Sequence, residues 1–524
     1  MGSCKITEVK NINGELPKLP IENDGPADFQ TAIAATKFGK FNIFLLLVAI
    51  PSALSINCET GIISFIIPAA ACDLELTSSQ KGLLNSMSFV GMVLSGFFWG
   101  FLLDTLGRKK MIFLGLSAHW MVMLAKSFSW RIDMLCLFQF FGGALAGGVY
   151  VAVNTYLHEF HSTEYRGRLQ MAYGAMFGTA NIIIPLISGS IMALDININL
   201  GLIEYYSWNL LFLISGIPPA LAALGFYFLP ETPKFLMSCG DSESALKVFR
   251  QVYRINTGQS EEFYPIKELI HEVTEKEQPS TQHSWLMYIK LGWKQISPLF
   301  GKEHRLNLFL VCSTQVILQI TLNTARIYSP QVFQAEHDYE TTFNSSGTLC
   351  EVLSILKKPK LEEGEEFVCS VNLENNFGVY LNSIIIGTAT LMSYGMAGTL
   401  INTFGRKNLL NVLNITGSIS ISCLYFSYNN IMTLTLYSIF FGSVGICFDI
   451  IITIVVVLFP TTLRAMAFSI NLLLGRLLTV GGNLMVPLLV ELGCAPPFLT
   501  WGSLSLVALL LSCLIPNTEK LDMK

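Results

Sequence analysis

The sequence predicts an all-α membrane protein, with twelve transmembrane helices in two pseudo-symmetric six-helix bundles. Three observations carry that expectation. Of 524 residues, 52% are hydrophobic and only 13% are charged, about half the charged share of a soluble domain. A hydrocarbon solvent imposes that depletion, because unpaired charge inside it is expensive. Second, apolar runs of the roughly 20 residues needed to cross ~30 Å of hydrocarbon recur along the chain, six before a hydrophilic stretch and six after. Third, Gly100-Phe-Leu-Leu-Asp104-Thr-Leu-Gly107-Arg108-Lys109 is echoed by Gly398-Thr-Leu-Ile-Asn402-Thr-Phe-Gly405-Arg406-Lys407 at one constant offset of 298 residues. An echo at that distance marks two copies of one membrane-embedded unit.

The elements follow in order. Residues 1–40 form a polar N-terminal tail. The first bundle, 41–229, holds runs near 41–71, 83–104, 110–128, 132–156, 169–193 and 208–229. The first run is too long for a signal peptide and reads as a span. Residues 230–306 link the bundles with ten basic and ten acidic residues, and Asp241 is placed to cap a helix there. The stretch from Ile266 to Val273 reads as a second short amphipathic helix. The second bundle, 307–516, holds runs near 307–327, 377–400, 408–426, 431–457, 466–490 and 496–515, and a short tail, 517–524, follows. Each Gly-Arg-Lys turn follows the second helix of its half, as a duplication requires.

Lys and Arg in short loops set orientation. With the N-terminus inside, the inner turns carry Arg108, Lys109, Lys110, Arg166, Arg168, Arg406, Lys407 and Arg464, and the outer turns only Lys81, Lys126 and Arg131. Both termini are therefore expected in the cytosol, in a plasma membrane or an intracellular vesicle membrane. The segment 328–376 is then an outer loop, with nine acids against three lysines. It carries the glycosylation sequon at Asn344. Cys350 and Cys369 share it and are expected to bond in an oxidising compartment. Gly96/Gly100, Gly143/Gly147 and Gly174/Gly178, each four apart, are read as close-packing positions.

The net charge of −4 gives no basic surface for nucleic acid. No His, Cys and Asp cluster has metal spacing, no loop suits a nucleotide phosphate, and no catalytic constellation appears. Hence no cofactor, metal or enzymatic activity is expected.

The Gly100…Asp104…Gly107-Arg108-Lys109 turn resembles the signature of the major facilitator superfamily between helices 2 and 3. Tyr156 and Glu159 with Arg166-Gly167 resemble the end of its fourth helix and the following turn. Pro230-Glu231-Thr232-Pro233-Lys234-Phe235-Leu236 is similar to the motif after helix 6 in its sugar and organic-ion transporters, and Pro516-Asn517-Thr518-Glu519 to a degraded form of the motif after helix 12. The match covers about residues 40–516. Within the superfamily it most resembles synaptic vesicle glycoprotein 2 and its relatives, though the outer loop is far shorter. The resemblance implies helices 1, 4, 7 and 10 around a central cavity. Three departures weaken a copied sugar–proton mechanism: Gln139 stands where sugar-type members have Arg, Val457 replaces an acidic residue, and Asn402 replaces Asp.

Ionisable and polar residues in mid-span are the functional candidates. Glu59 shares a helix face with Ser52 and Ser55. It is either a cavity carboxylate that binds a cation or proton, or a structural carboxylate, and Gln139 cannot be its charged partner. Asp449 and Arg476 lie at matching depth on antiparallel helices, at ~1.5 Å per residue. They read as a structural ion pair, or as substrate contacts, and an unpaired Arg476 would favour anions. Gln315, Gln319 and Asn323 form a polar stripe every four residues, followed by Arg326. Gly100, Asp104, Gly107, Arg108 and Lys109, with Asn402, Gly405, Arg406 and Lys407, read as a conformational latch in which Asp104 bonds the N-terminal end of a facing helix. His119 reads as a satisfied core histidine.

The expected function is alternating-access transport of a small polar or charged organic solute, secondary-active with a coupling proton or other ion, or facilitative. The alternative is a vesicle or surface membrane protein that no longer transports and acts as a receptor or scaffold.

Overall fold

The structure, a computed structural model, describes residues 26–194, 196–199, 201, 204–270, 297–356, 377–459 and 461–516. Ahead of the first span lies α1 (Phe29–Ala35). The first bundle comprises α2 (Lys40–Gly61) and α3 (Ile63–Asp73), which run on as one span, then α4 (Ser78–Leu106), α5 (Arg108–Ser127), α6 (Ile132–Glu159) and α7 (Arg166–Met192). Its sixth span is α8 (Ser207–Ser215) with α9 (Ile217–Tyr227). The linker carries α10 (Pro233–Ser238) and α11 (Ser242–Thr257). The second bundle comprises α12 (Arg305–Phe343), a short α13 (Leu349–Leu356), α14 (Phe377–Phe404), α15 (Arg406–Cys423), α16 (Asn430–Leu458), α17 (Thr461–Leu492) and α18 (Ala495–Leu514).

Among the described residues, ten segments are long and apolar enough to cross a membrane, and α4, bent by 51°, makes an eleventh. α5 falls short because it begins Arg108-Lys109-Lys110 and ends near Lys126. It nevertheless packs against α6, α8 and α9 in the position of a third span. The arrangement is six plus six.

Both turns of the sequence echo repeat as backbone. Gly107 has φ 96° and Gly405 has φ 78°, and each joins the second helix of its half to the third. Only glycine adopts that region without strain, which accounts for the matched glycines. At Gly107 a side chain would also meet the Glu231 carboxylate at 2.5 Å. Gly107→Ala is expected to cost about 1–2 kcal/mol through φ alone and to displace Glu231. A thermal melt of the purified variant checks this, and an unchanged midpoint would refute it.

These turns share one face of the molecule with α1, α10 and α11, here termed the terminal face. There α1 buries Phe29, Ala32 and Ile33 against Phe249, Tyr253 and Tyr264. The Asn256 amide donates to the carbonyls of Thr36 (3.2 Å) and Lys37 (2.8 Å) and accepts from Phe41 N (2.9 Å), tying α11 to the start of α2. Asp241 caps α11 through Ser244 N, 3.0 Å, as the sequence implies. The expected helix from Ile266 is not one as far as residue 270. Ile266 and Leu269 instead bury against α1 and α11, and Leu269 forms a parallel bridge with Ala27. Residues 271–273 lie outside the described part.

The opposite face carries the hairpin β1 (Asn197–Asn199) with β2 (Glu204–Tyr206), and α13. Cys350 bonds not Cys369 but Cys494, at the junction of α17 and α18. Cys369 lies outside the described residues. The disulfide therefore staples the outer segment to the second bundle instead of closing a local loop. Asn344 ends α12 on this face, exposed, with φ 48°.

Of the glycine pairs, Gly143 and Gly147 pack as expected. A side chain at Gly143 would strike the Ser88 backbone, and one at Gly147 would meet Met92 at 2.9 Å. α4 and α6 thus touch backbone to side chain, the approach small residues permit in a membrane. Gly178 meets Leu391 across the bundles. Gly96 and Gly100 do not pack here, since no atom lies within 4 Å of where a side chain would begin.

That contrast describes the conformation. Toward the opposite face the bundles touch: Ser86 Oγ donates to Val480 O (3.3 Å), Gly82 lies against Asn483 and Pro487, and the rings of Phe65 and Tyr380 stack at 5.7 Å. Toward the terminal face Gly96, Gly100 and Gly395 look into open space. The contacts that join the bundles at the opposite face are thus not matched at these glycines.

Candidate functional site

Between the bundles lies a cavity of about 310 Å³, within the size range of small-molecule sites. Spans 1, 4, 7 and 10 contribute to it, as expected, together with α7, α14 and α17. From α12 come Gln319, Asn323 and Arg326, three of the four residues of the polar stripe. Gln315 does not line it. Gln315 is buried, with both amide atoms lacking a partner.

Arg326 is no surface residue. It reaches across the bundle boundary to Asn57 Oδ1 of α2 (3.4 Å) and to Asn181 Oδ1 of α7. The Gln319 amide occupies the space that Gly475 leaves, beside Arg476. Gln319 and Arg326 are seven residues apart on one helix. Arg476 and Arg326 therefore sit about 10 Å apart along the cavity axis.

Asp449 and Arg476 both line the cavity, but they do not form the expected pair. The Tyr394 hydroxyl lies 3.2 Å from where a side chain at Gly445, one turn before Asp449, would begin, and the Arg476 guanidinium lies 5.9 Å from the Tyr150 ring centre. Tyr150 lies close enough to feel the charge of both. The two reach one cavity, as matched depth implies, without meeting each other. Among the described residues neither Arg476 nor Arg326 makes an ion pair with a carboxylate.

Glu59 does not line the cavity either. It is fully buried inside the first bundle, where Lys126 Nζ donates to both its oxygens at 2.7 Å. His119 Nε2 lies 3.0 Å from it, and Ser88 Oγ donates at 3.1 Å. His119 is held on its other nitrogen by Ser55 Oγ at 2.9 Å, a satisfied core histidine as read. Gln139 donates to Glu59 O (3.0 Å) and Ser88 Oγ (2.5 Å), so it belongs to this network and not to the cavity. Lys126, counted above as an outer-turn residue, is the missing charged partner.

The latch residues also differ from expectation. Asp104 is two-thirds exposed and pairs with Arg108 of its own segment at 3.4 Å. The N-terminus of α5 is instead capped by Glu231, whose Oε1 accepts from Arg108 N and Lys109 N, each at 3.0 Å. Arg108 also pairs with Glu159, 3.4 Å, and lies over the Phe235 ring. A carboxylate satisfies two orphan N–H groups and the helix dipole together. In the second bundle the Asn402 side chain lies outside the description. Arg406 and Lys407 open α15 on the same face.

Several cavity residues were not picked out from the sequence: Asn57, Tyr150, Tyr173, Asn181 and Tyr394. Tyrosines in apolar runs read as ordinary membrane aromatics. Asn57 and Asn181 sit alone in their helices, with no periodic stripe to flag them.

Residues 44–353 match the sugar (and other) transporter family. The chain belongs to that family. Synaptic vesicle glycoprotein 2B of Rattus norvegicus is 27% identical over 230 residues, 44% of this chain and 34% of that protein. The aligned part thus spans about a third of that relative. The putative transporter svop-1 of Caenorhabditis elegans is 22% identical over 492 residues, 93% of this chain and 85% of that protein. Among solved structures, the partially occluded inward-open xylose transporter XylE from E. coli superposes with TM-score 0.65 at 15% identity, covering 91% of this chain and 99% of that one. A D-xylose-proton symporter follows at 0.64 and 14%, covering 92% and 99%. These likenesses show the major facilitator fold. Family and fold make this a multi-pass membrane protein of a transporter family.

Proposed function

We propose that the chain carries a small organic anion across the membrane by alternating access, the two bundles rocking about the central cavity. The observation behind this reading is Arg476, which lines the cavity without a carboxylate partner. A half-buried cation lining a cavity favours a counter-charge, and the solute supplies it. The aromatic rings of Tyr150, Tyr173 and Phe177 suit an apolar body behind the charged group. Arg326, about 10 Å along the axis, suits a second polar end.

In this reading the terminal face is cytosolic, both termini included, and the conformation described is open to the cytosol. Asn344 then faces the outside and is glycosylated. Asp104, Arg108 and Lys109, with Asn402, Arg406 and Lys407, engage across the bundles only when that face closes. The receptor or scaffold alternative draws on the Arg lost at Gln139 and on the acidic motif residues lost at Val457 and Asn402. Lys126 answers the first by supplying the charge beside Glu59, and the second ground stands.

The test is uptake into proteoliposomes from a panel of aliphatic and aromatic carboxylates and sulfonates. Arg476→Ala is expected to lower saturable uptake roughly 30-fold, since truncating one member of a buried charge pair costs about 2 kcal/mol or more. Flux of neutral sugars alone, or anion flux indifferent to the substitution, would reject the reading.

A further inference from the structure

We infer that Asp449 is the group that takes up and releases a coupling proton, so that each organic anion held at Arg476 crosses with one proton. This rests on the anion reading above.

Asp449 is the sole carboxylate among the described residues that line the cavity. The other mid-span carboxylate of the first half, Glu59, has both oxygens committed to Lys126 and further bonds to His119 and Ser88. Proton exchange there would break a closed network that the cavity does not reach. Among the described residues Asp449 makes no ion pair. The Tyr394 hydroxyl of α14 comes near it, 3.2 Å from where a side chain at Gly445, one turn away, would begin.

The groups facing Asp449 are few. Tyr394 comes from α14, Tyr150 from α6, and Arg476 from α17, its guanidinium 5.9 Å from the Tyr150 ring centre. α7 presents Gly174, where a side chain would begin 3.7 Å from Asp449 Oδ2. α12 presents uncharged Gln319 at the level of Arg476. On α16 itself the nearest titratable group is Cys447, which donates to Leu410 O of α15 at 3.5 Å. The charges of α15, Arg406 and Lys407, lie at its terminal-face end. A half-buried cavity carboxyl without an ion partner exchanges a proton instead of holding a fixed charge.

Its place fits coupling. The Gly174 contact puts Asp449 of the second bundle against the first, where the halves move past one another. The charge balance closes as well. One anion adds −1 at Arg476 and one proton adds +1 at Asp449, so the loaded and empty cavities carry the same charge. No bond other than the carboxyl O–H forms or breaks.

A first measurement needs no solute. Infrared difference spectra of the full chain carrying Glu336→Gln, in nanodiscs between acid and alkaline buffer, should contain a protonated-carboxyl band at the frequency of a group shielded from water, distinct from those of exposed carboxyls. Glu336, a second carboxyl buried beside a hydroxyl donor, is thereby kept out of it. That band should persist in the Glu59→Leu/Lys126→Met double variant and vanish in Asp449→Asn. Tyr394→Phe, which keeps the carboxyl, should retain the band with a shifted frequency. A band that survives in Asp449→Asn and ignores Tyr394→Phe overturns the inference. A second measurement uses benzenesulfonate, a permanent anion that cannot carry the proton itself, with a pH-sensitive dye inside proteoliposomes. Inward benzenesulfonate flux should acidify the lumen one-for-one, and in Asp449→Asn the acidification should disappear while benzenesulfonate exchange remains. Benzenesulfonate flux without proton movement in the native protein overturns the coupling. Absence of any such flux counts against the anion reading, and the infrared result then decides the proton site alone.

Discussion

Glu59→Gln is expected to lower the thermal unfolding midpoint of the purified protein by several degrees, and Lys126→Met to do the same. Both side chains are fully buried, and the ammonium donates to both carboxylate oxygens. Removing one member leaves an uncompensated charge in a low-dielectric interior, which costs about 3–5 kcal/mol. Replacing both with apolar residues, Glu59→Leu with Lys126→Met, should recover most of the loss, because a buried pair is itself worth little against a hydrophobic isostere. That pattern of harmful singles and a mild double separates an ion pair from simple packing. Additive losses would refute it. The network joins four helices: α2 through Glu59, α4 through Ser88, α5 through His119 and Lys126, and α6 through Gln139. It would make the first bundle a rigid body, as rocking requires.

The sequence made the fold legible where the physics is one-dimensional. Hydropathy counts spans, and the echo at Gly107 and Gly405 follows from a positive φ that each copy needs. It failed where the third dimension chooses partners. Glu59 was visible as a costly residue, but its partner lies 67 positions away near a helix end, where a lysine looks like a loop residue reaching for water. Asp449 and Arg476 were matched in depth, yet rotation about each axis is set by packing, and Arg476 lies against the Tyr150 ring instead. Cys350 found Cys494 at a separation of 144 residues, because the segment after α12 folds back over the junction of α17 and α18. Loop proximity cannot reveal that. The α5 cap moved from Asp104 to Glu231 for a similar reason: Asp104 sits on the preceding helix end, pointing outward, whereas the linker brings Glu231 directly onto the free N–H groups.

Arg326→Ala is expected to shift the molecule toward the state open at the opposite face. Arg326 belongs to the second bundle, and its hydrogen-bond acceptors, Asn57 and Asn181, belong to the first. These charged hydrogen bonds exist only while the opposite side is closed. A hydrogen bond to a charged group contributes about 1.5–3 kcal/mol. Losing the contact should therefore move the equilibrium between the two states roughly tenfold to 100-fold. Spin labels at Leu194 and Ile431, exposed on that face in the first and second bundles, should report a longer distance population in the variant. The background would have the exposed cysteines Cys239 and Cys513 replaced. Arg326→Lys should be intermediate, since an ammonium keeps the charge but, on its shorter stem, does not reach the place from which one guanidinium nitrogen donates to both amides. An unchanged distance distribution in Arg326→Ala would mean that the apolar contacts, among them the Phe65–Tyr380 stack, hold the face shut alone. Arg326 would then be left to the solute, and its loss would weaken binding without changing which face is open.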